Sequence, residues 1–217
     1  MNPKNLVAPT VPVAATDGLI TTANLKHDVA VLLKTWSYAH EQDTYQLMIN
    51  GTLTGPAHCL PSPVPEVGST LELTIAKEEL VLDGTYHISY QATNVLGGTS
   101  ANSDVTSIRV DRSRPGAALL APMIFPNASF SDRLTGLIPG YAGMEEGDVI
   151  QTLCNGTPGP AHTVQADELT LRPIEIDFER KVMQSLAAEN VSFEYLVTDR
   201  AGNPSIMSLP VLLSIKL

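Results

Sequence analysis

Asp43-Thr44-Tyr45-Gln46-Leu47-Met48-Ile49-Asn50-Gly51 returns later in the chain as Asp148-Val149-Ile150-Gln151-Thr152-Leu153-Cys154-Asn155-Gly156, an offset of 105 residues from Asn50 to Asn155. Tyr90-Gln91-Ala92-Thr93-Asn94 returns as Tyr195-Leu196-Val197-Thr198-Asp199 at the same offset, and Gly97 and Ser100 match Gly202 and Ser205. Between these anchors, Gly55-Pro56-Ala57-His58 returns as Gly159-Pro160-Ala161-His162, one residue out of step. A solenoid unit of roughly 20–50 residues cannot bury a core alone. A unit of this length can be a whole domain. The 217 residues therefore divide into two copies of one small fold, residues 1–112 and 113–217. Tandem copies serve reach or multivalent binding more often than chemistry.

Working outward from the repeat, the apolar residues alternate. Val29, Val31 and Leu33 do so, then Tyr45, Leu47 and Ile49, then Leu71, Leu73 and Ile75, then Tyr86, Ile88, Tyr90 and Ala92, and finally Ile108 and Val110. Period-two alternation means one buried and one wet face, the mark of a strand. The second copy repeats the plan with Leu134, Leu137 and Ile138 after an apolar edge segment near Leu119 to Phe125. Ile150, Thr152 and Cys154 follow, then Ile174, Ile176 and Phe178, then Phe193, Tyr195 and Val197, and last Leu209, Val211, Leu213 and Ile215. Asn50-Gly51 and Asn155-Gly156 tolerate positive φ and predict hairpins. Glu179 to Ala188 carries helix formers and predicts a short helical turn. Short strands at regular spacing with no long helix describe a β-sandwich. The predicted fold is all-β, two sandwiches joined end to end. The joint is the short linker Val110-Asp111-Arg112-Ser113-Arg114-Pro115-Gly116, stiffened by its proline.

Composition narrows the function. A net charge of −10 argues against a nucleic-acid partner, which needs clustered Lys and Arg. The basic group Arg109, Arg112 and Arg114 reads as a solvated linker. No apolar run reaches the roughly 18–20 residues that span a membrane, so no membrane insertion is expected. Pro9 and Pro12 interrupt the N-terminus, which does not read as a Sec-type signal peptide. The chain then stays in the cytoplasm, leaves by another route, or belongs to something longer. Cys59 and Cys154 do not occupy matching positions, so the fold must stand on its cores rather than on disulfides. Cys154 reads as a small apolar strand residue and Cys59 as a free thiol.

Asp83-Gly84-Thr85-Tyr86-His87-Ile88-Ser89-Tyr90 followed by Ala92-Thr93-Asn94 resembles the penultimate strand of bacterial immunoglobulin-like repeats. Tyr195-Leu196-Val197-Thr198-Asp199-Arg200-Ala201-Gly202-Asn203-Pro204-Ser205 is similar to the same family's Thr-Asp-x-Ala-Gly-Asn signature, and Ile108 to Pro115 to its Val-Asp-x-Thr-x-Pro boundary. The resemblance implies tandem immunoglobulin-like sandwiches of the kind found in large surface and adhesin-type proteins. It also implies a tyrosine corner at Tyr86, whose phenol bonds back to the preceding corner. Val191 replaces that tyrosine in the second copy. Paired cysteines around a tryptophan are absent, and Trp36 aligns with Tyr141, so the resemblance is not to antibody domains.

No catalytic residues emerge. There is no nucleophile elbow, no His-Glu-x-x-His and no phosphate-cradling glycine loop. Glu145-Glu146 reads as a solvated turn, with Glu66 its unpartnered counterpart. His58 and His162 share a Gly-Pro-Ala-His turn, one histidine per copy, which is not zinc spacing. His27, His40 and His87 follow no pattern. No cofactor and no metal are expected, with Ca²⁺ the one possibility the resemblance raises. Asp111, Asp199 and Asn203 supply too few of its six to eight oxygens, and Asx turns account for them equally. Asn50-Gly-Thr52, Asn127-Ala-Ser129, Asn155-Gly-Thr157 and Asn190-Val-Ser192 match the glycosylation acceptor pattern, which a bacterial chain without a secretory leader would not use. The expected function is a non-catalytic module that spaces or presents a binding surface in a surface or secreted assembly. A second reading is recognition of a protein or glycan through end loops, with Asp17 to Asp28 and Cys59 to Pro65 as candidates. A third is an accessory part of a larger enzyme or toxin.

Overall fold

The computed structural model describes residues 6–127, 133–170, 172–186 and 189–214. Met1 to Asn5, Ala128 and Ser129 of the second acceptor triplet, Ala188, and Ile215 of the last predicted strand lie outside those residues. The chain separates into two compact units, residues 1–112 and 113–217.

The first unit contains β1 (Leu19–Ile20), β2 (Val29–Lys34), β3 (Thr44–Ile49), β4 (Thr52–Cys59), β5 (Thr70–Ile75), β6 (Gly84–Thr93), β7 (Ser100–Asn102) and β8 (Thr106–Val110). One sheet is the antiparallel pair β2–β5, to which Thr10 adds a bridge at Leu32. The other runs β1-β8-β6-β3-β4, with β7 paired to β6 and β1 parallel to β8. The alternating apolar residues of both sheets face each other. Val31, Leu33, Ile75, Ile88 and Ile108 are buried in one core with Leu80. Each such side chain contributes about 1.5–3 kcal/mol by leaving water.

The second unit contains β9 (Arg133–Ile138), β10 (Val149–Cys154), β11 (Thr157–Thr163), β12 (Ile174–Glu179), α1 (Arg180–Ser185), β13 (Asn190–Thr198) and β14 (Val211–Ser214). Its sheets are β9–β12 and β11-β10-β13-β14, and Ile124 bridges to Leu137 as Thr10 does to Leu32. The same two-layer arrangement thus occurs twice. Its core centres on Phe125, Phe178 and Phe193, whose rings lie 4.7–6.2 Å apart. The predicted helical turn is α1, and the edge segment before β9 is the stretch around Ile124.

Several repeated residues prove to be backbone fasteners. Asn50 and Asn155 sit at φ 52° and 50°, followed by glycines at 79° and 76°, which closes both hairpins as mirror-image tight turns. Each asparagine also reaches the strand paired on the far side of the hairpin, β6 or β13. The Asn50 carboxamide oxygen accepts from the His87 backbone N–H (2.9 Å), and that of Asn155 accepts from Ser192 (2.8 Å). Ser103 and Ser208 each accept the backbone N–H of the buried Tyr90 or Tyr195 at 3.0 Å. The Tyr86 phenol donates to the Leu82 carbonyl (2.9 Å), the tyrosine corner the resemblance implied.

Three expectations need correction. Gly-Pro-Ala-His is not a turn, because it lies inside the edge strands β4 and β11. A bulge takes up the Gly-Pro: two extra residues sit opposite the Tyr45–Leu47 step, and one opposite Gln151–Leu153. That difference is the single residue by which the two motifs fall out of step. Gln46 and Gln151 pin the bulges by donating from Nε2 to the Gly55 and Gly159 carbonyls (2.7 and 2.9 Å). Second, Asp17 to Asp28 is not an open loop. It forms β1 and a short 3-10 turn, Asn24–Lys26, with Leu19, Ile20 and Leu25 buried. Third, the basic group is not simply solvated. Arg109 is part of β8, and the Arg112 guanidinium donates to the Leu80 carbonyl (3.1 and 3.3 Å).

Candidate functional site

The residues singled out by sequence do not converge. His58 stacks on Tyr45, ring centroids 5.5 Å apart. His162 instead meets the Glu168 carboxylate at 2.8 Å. Burial pushes that carboxyl up, but the His162 ring and the Gln165 backbone N–H outweigh it and hold Glu168 below its usual range. His87 meets the Ser107 hydroxyl (3.0 Å). The Asp199 carboxylate accepts from the Asn203 backbone (2.7 Å) and side-chain amide (2.8 Å), closing its own loop across four residues. Cys154 is buried, which raises its thiol to about 11, and Cys59 is exposed. Among the described residues, no three His, Cys, Asp or Glu side chains gather as metal ligands.

The repeated aspartates fasten one pole of each sandwich. Asp43 is buried and accepts from the His40 and Val95 backbone N–H groups (both 3.0 Å) and more weakly from the Asn94 side chain. It thereby ties the loop after β2 to the loop after β6. Asn94 stiffens the second loop by accepting from the Leu96 and Gly97 N–H groups (both 3.0 Å). Asp148 accepts from Glu145 N–H (3.1 Å) and the Tyr141 hydroxyl (2.9 Å). Burial raises the Asp148 carboxyl above its usual value, partly offset by those two bonds.

Between the two loops of the first unit lies an open cleft of about 610 Å³. Thr44 at the start of β3 pairs with Cys59 and Thr93, so the cleft sits at the pole where β3 begins and β4 and β6 end. Trp36 forms its floor. The indole is half-buried, edge-on to Tyr45 (6.4 Å, 69°) and tilted over Tyr90 (6.5 Å). Tyr38 stands on the rim, 82% exposed.

The backbone of this loop is the same in both units, while its side chains differ. Tyr38 and Gln42 adopt φ of 62° and 69°. The matching residues 105 positions on are Gly143 and Gly147, at 73° and 91°. Left-handed backbone costs a non-glycine residue about 1–2 kcal/mol. The second unit avoids that cost with glycine, and a side chain at Gly143 would meet open space, so its backbone alone explains the glycine. The first unit instead places a tyrosine there, and an 82%-exposed ring recovers little of the cost by packing. Sequence reasoning passed over Tyr38. The signal was present in the alignment of the copies, tyrosine against glycine.

Two facing sheets of this order, an edge strand ahead of them and a tyrosine corner define a sandwich of the immunoglobulin and fibronectin type III kind. No family model matches the chain, and no curated protein does. Solved structures do. The fibronectin(III)-like modules of Clostridium thermocellum CbhA align over 96% of this chain and 94% of theirs, at 16% identity and a TM-score of 0.46. A 1.5-MDa bacterial ice-binding adhesin, studied for its retention at the host cell surface, aligns over 97% of this chain at 18% identity and a TM-score of 0.51. This chain spans 64% of that adhesin structure. At such identities the likeness is one of fold.

Proposed function

We propose that this chain is a non-catalytic structural and interaction module, two immunoglobulin-like sandwiches that space or present a binding surface in a cell-surface or secreted assembly. One observation carries the reading. The residues repeated between the units (Asp43, Gln46, Asn50 and Ser103 with their partners) satisfy backbone groups, so what has been duplicated is a scaffold. One difference between the units, Tyr38 against Gly143, falls at a pole, where sandwich loops are free to vary without touching the core. The fold likeness to an adhesin retained at a cell surface supports the setting. Among the described residues no helix is long and apolar enough to cross a membrane.

Fractionation of the producing cells tests the reading. An antibody against this chain should find it at the surface or in the medium. Recovery solely as a 23.2 kDa cytoplasmic protein would refute the setting.

A further inference from the structure

We propose that the open cleft of the first unit, lined by the aromatic rings of Tyr38 and Trp36, binds a neutral saccharide. The proposal deepens the reading of the chain as a module that presents a binding surface.

Tyr38 itself points to a ligand. The backbone there favours glycine, the second unit uses glycine, and the first unit keeps a bulky aromatic that points most of its surface to water. A residue held in an unfavoured conformation without compensating burial marks a functional position. The cleft is also preorganised. Asp43 clamps both cleft loops through backbone N–H groups, and Asn94 closes the second loop on itself. A ligand entering the cleft has little loop entropy to overcome.

The lining selects the chemistry of the ligand. No Lys or Arg lines the cleft, which disfavours phosphate, sulfate and uronic acids. Its one carboxylate, Asp43, is already occupied by N–H donors from the two loops. What remains are two aromatic rings, the apolar side chains of Leu6 and Leu96, and groups that both donate and accept. Ser37, His40 and Thr99 line the cleft, and among the described residues their side chains show no hydrogen bond within the protein. Sugars match this set. Their ring C–H faces lie flat on aromatic rings, and their hydroxyls both donate and accept. A proline-rich peptide, whose prolines lack the N–H, presents mainly carbonyl acceptors and fits less well. The volume of about 610 Å³ is within the range of ligand sites and accommodates a di- or trisaccharide.

Binding to so open a site should be weak, with a Kd of about 0.1–1 mM, so the assay is NMR titration of the full chain. The probes are glucose, galactose, mannose, N-acetylglucosamine and their short oligomers. Trp36 is the only tryptophan, and its indole N–H signal reports directly from the cleft floor. The expected result is a saturable shift of that signal and of amides 94–99 with at least one probe. Tyr38→Gly should weaken binding by at least about tenfold while leaving the thermal midpoint unchanged or higher, because glycine relieves the backbone. Tyr38→Phe keeps the stacking face and should bind within about threefold of the unmodified chain. The proposal is overturned if no probe shifts these signals, if Tyr38→Gly binds as well as the unmodified chain, or if a proline-rich peptide titrates the site and no sugar does. Surface localisation with an empty cleft would leave the module reading standing without the sugar. Binding by a purely cytoplasmic protein would do the reverse.

Discussion

Ser103 and Ser208 offer the same experiment twice in one molecule. Each hydroxyl accepts the backbone N–H of a buried tyrosine at 3.0 Å and donates to the next residue's carbonyl, Asp104 at 2.8 Å or Leu209 at 3.3 Å. Alanine leaves a buried N–H unpaired, which costs about 1–3 kcal/mol. A small domain loses roughly 1–1.5 kcal/mol of stability per molar urea, so the midpoint should fall by about 0.7–3 M. Trp36 makes the two units separable, since it is the only tryptophan and lies in the first. Ser103→Ala should therefore lower the tryptophan-detected urea midpoint. Ser208→Ala should leave that midpoint in place and lower only the second transition, read from tyrosine or far-ultraviolet signals. A Ser103→Ala midpoint within about 0.3 M of the unmodified chain would refute the fastening role. A shift of the tryptophan transition by Ser208→Ala would show that the units do not unfold independently.

Tyr86→Phe removes the phenol bond to Leu82 and should cost about 0.5–1.5 kcal/mol, seen in the tryptophan-detected midpoint; no change would strip the corner of its stabilising role. Asn155→Ala places alanine at φ 50° and deletes the bond to Ser192. A loss of about 2 kcal/mol in the second unit is expected, and calorimetry of the second transition checks it. Burial raises the Asp148 carboxyl above its usual 3.8. Between that pH and its folded value the folded unit holds a proton the unfolded chain has released, so stability falls as pH climbs through the window. Asp148→Asn should flatten that fall in the second unit's melting temperature, and an unchanged slope would assign it to another group.

Most of the sandwich was legible because its strands are half-buried and therefore alternate. Val29 to Leu33, Leu71 to Ile75 and Ile174 to Phe178 each bury every second side chain. The hairpins were legible because Asn-Gly has few other uses. β4 and β11 were not, since both edge strands carry glycine and proline, which read as breakers. An edge strand pairs on one side only, so it tolerates both where an inner strand would not. Leu19 and Ile20 were hidden for another reason: two residues are too few to show a period, and their pairing with Arg109 and Val110 spans almost the whole unit. The cleft was invisible to a search for long loops and catalytic spacings. Its loops are short, and their meaning lies in φ angles that only the comparison of Tyr38 with Gly143 exposes.

The bulged edges have a consequence for life at high concentration. Open strand edges invite one chain to stitch onto another. Pro56 and Pro160 lack the N–H such stitching requires, and the bulge beside each bends the strand out of register with any flat template. The same feature that obscured these strands in the sequence makes these two edges poor templates for a strand from another chain.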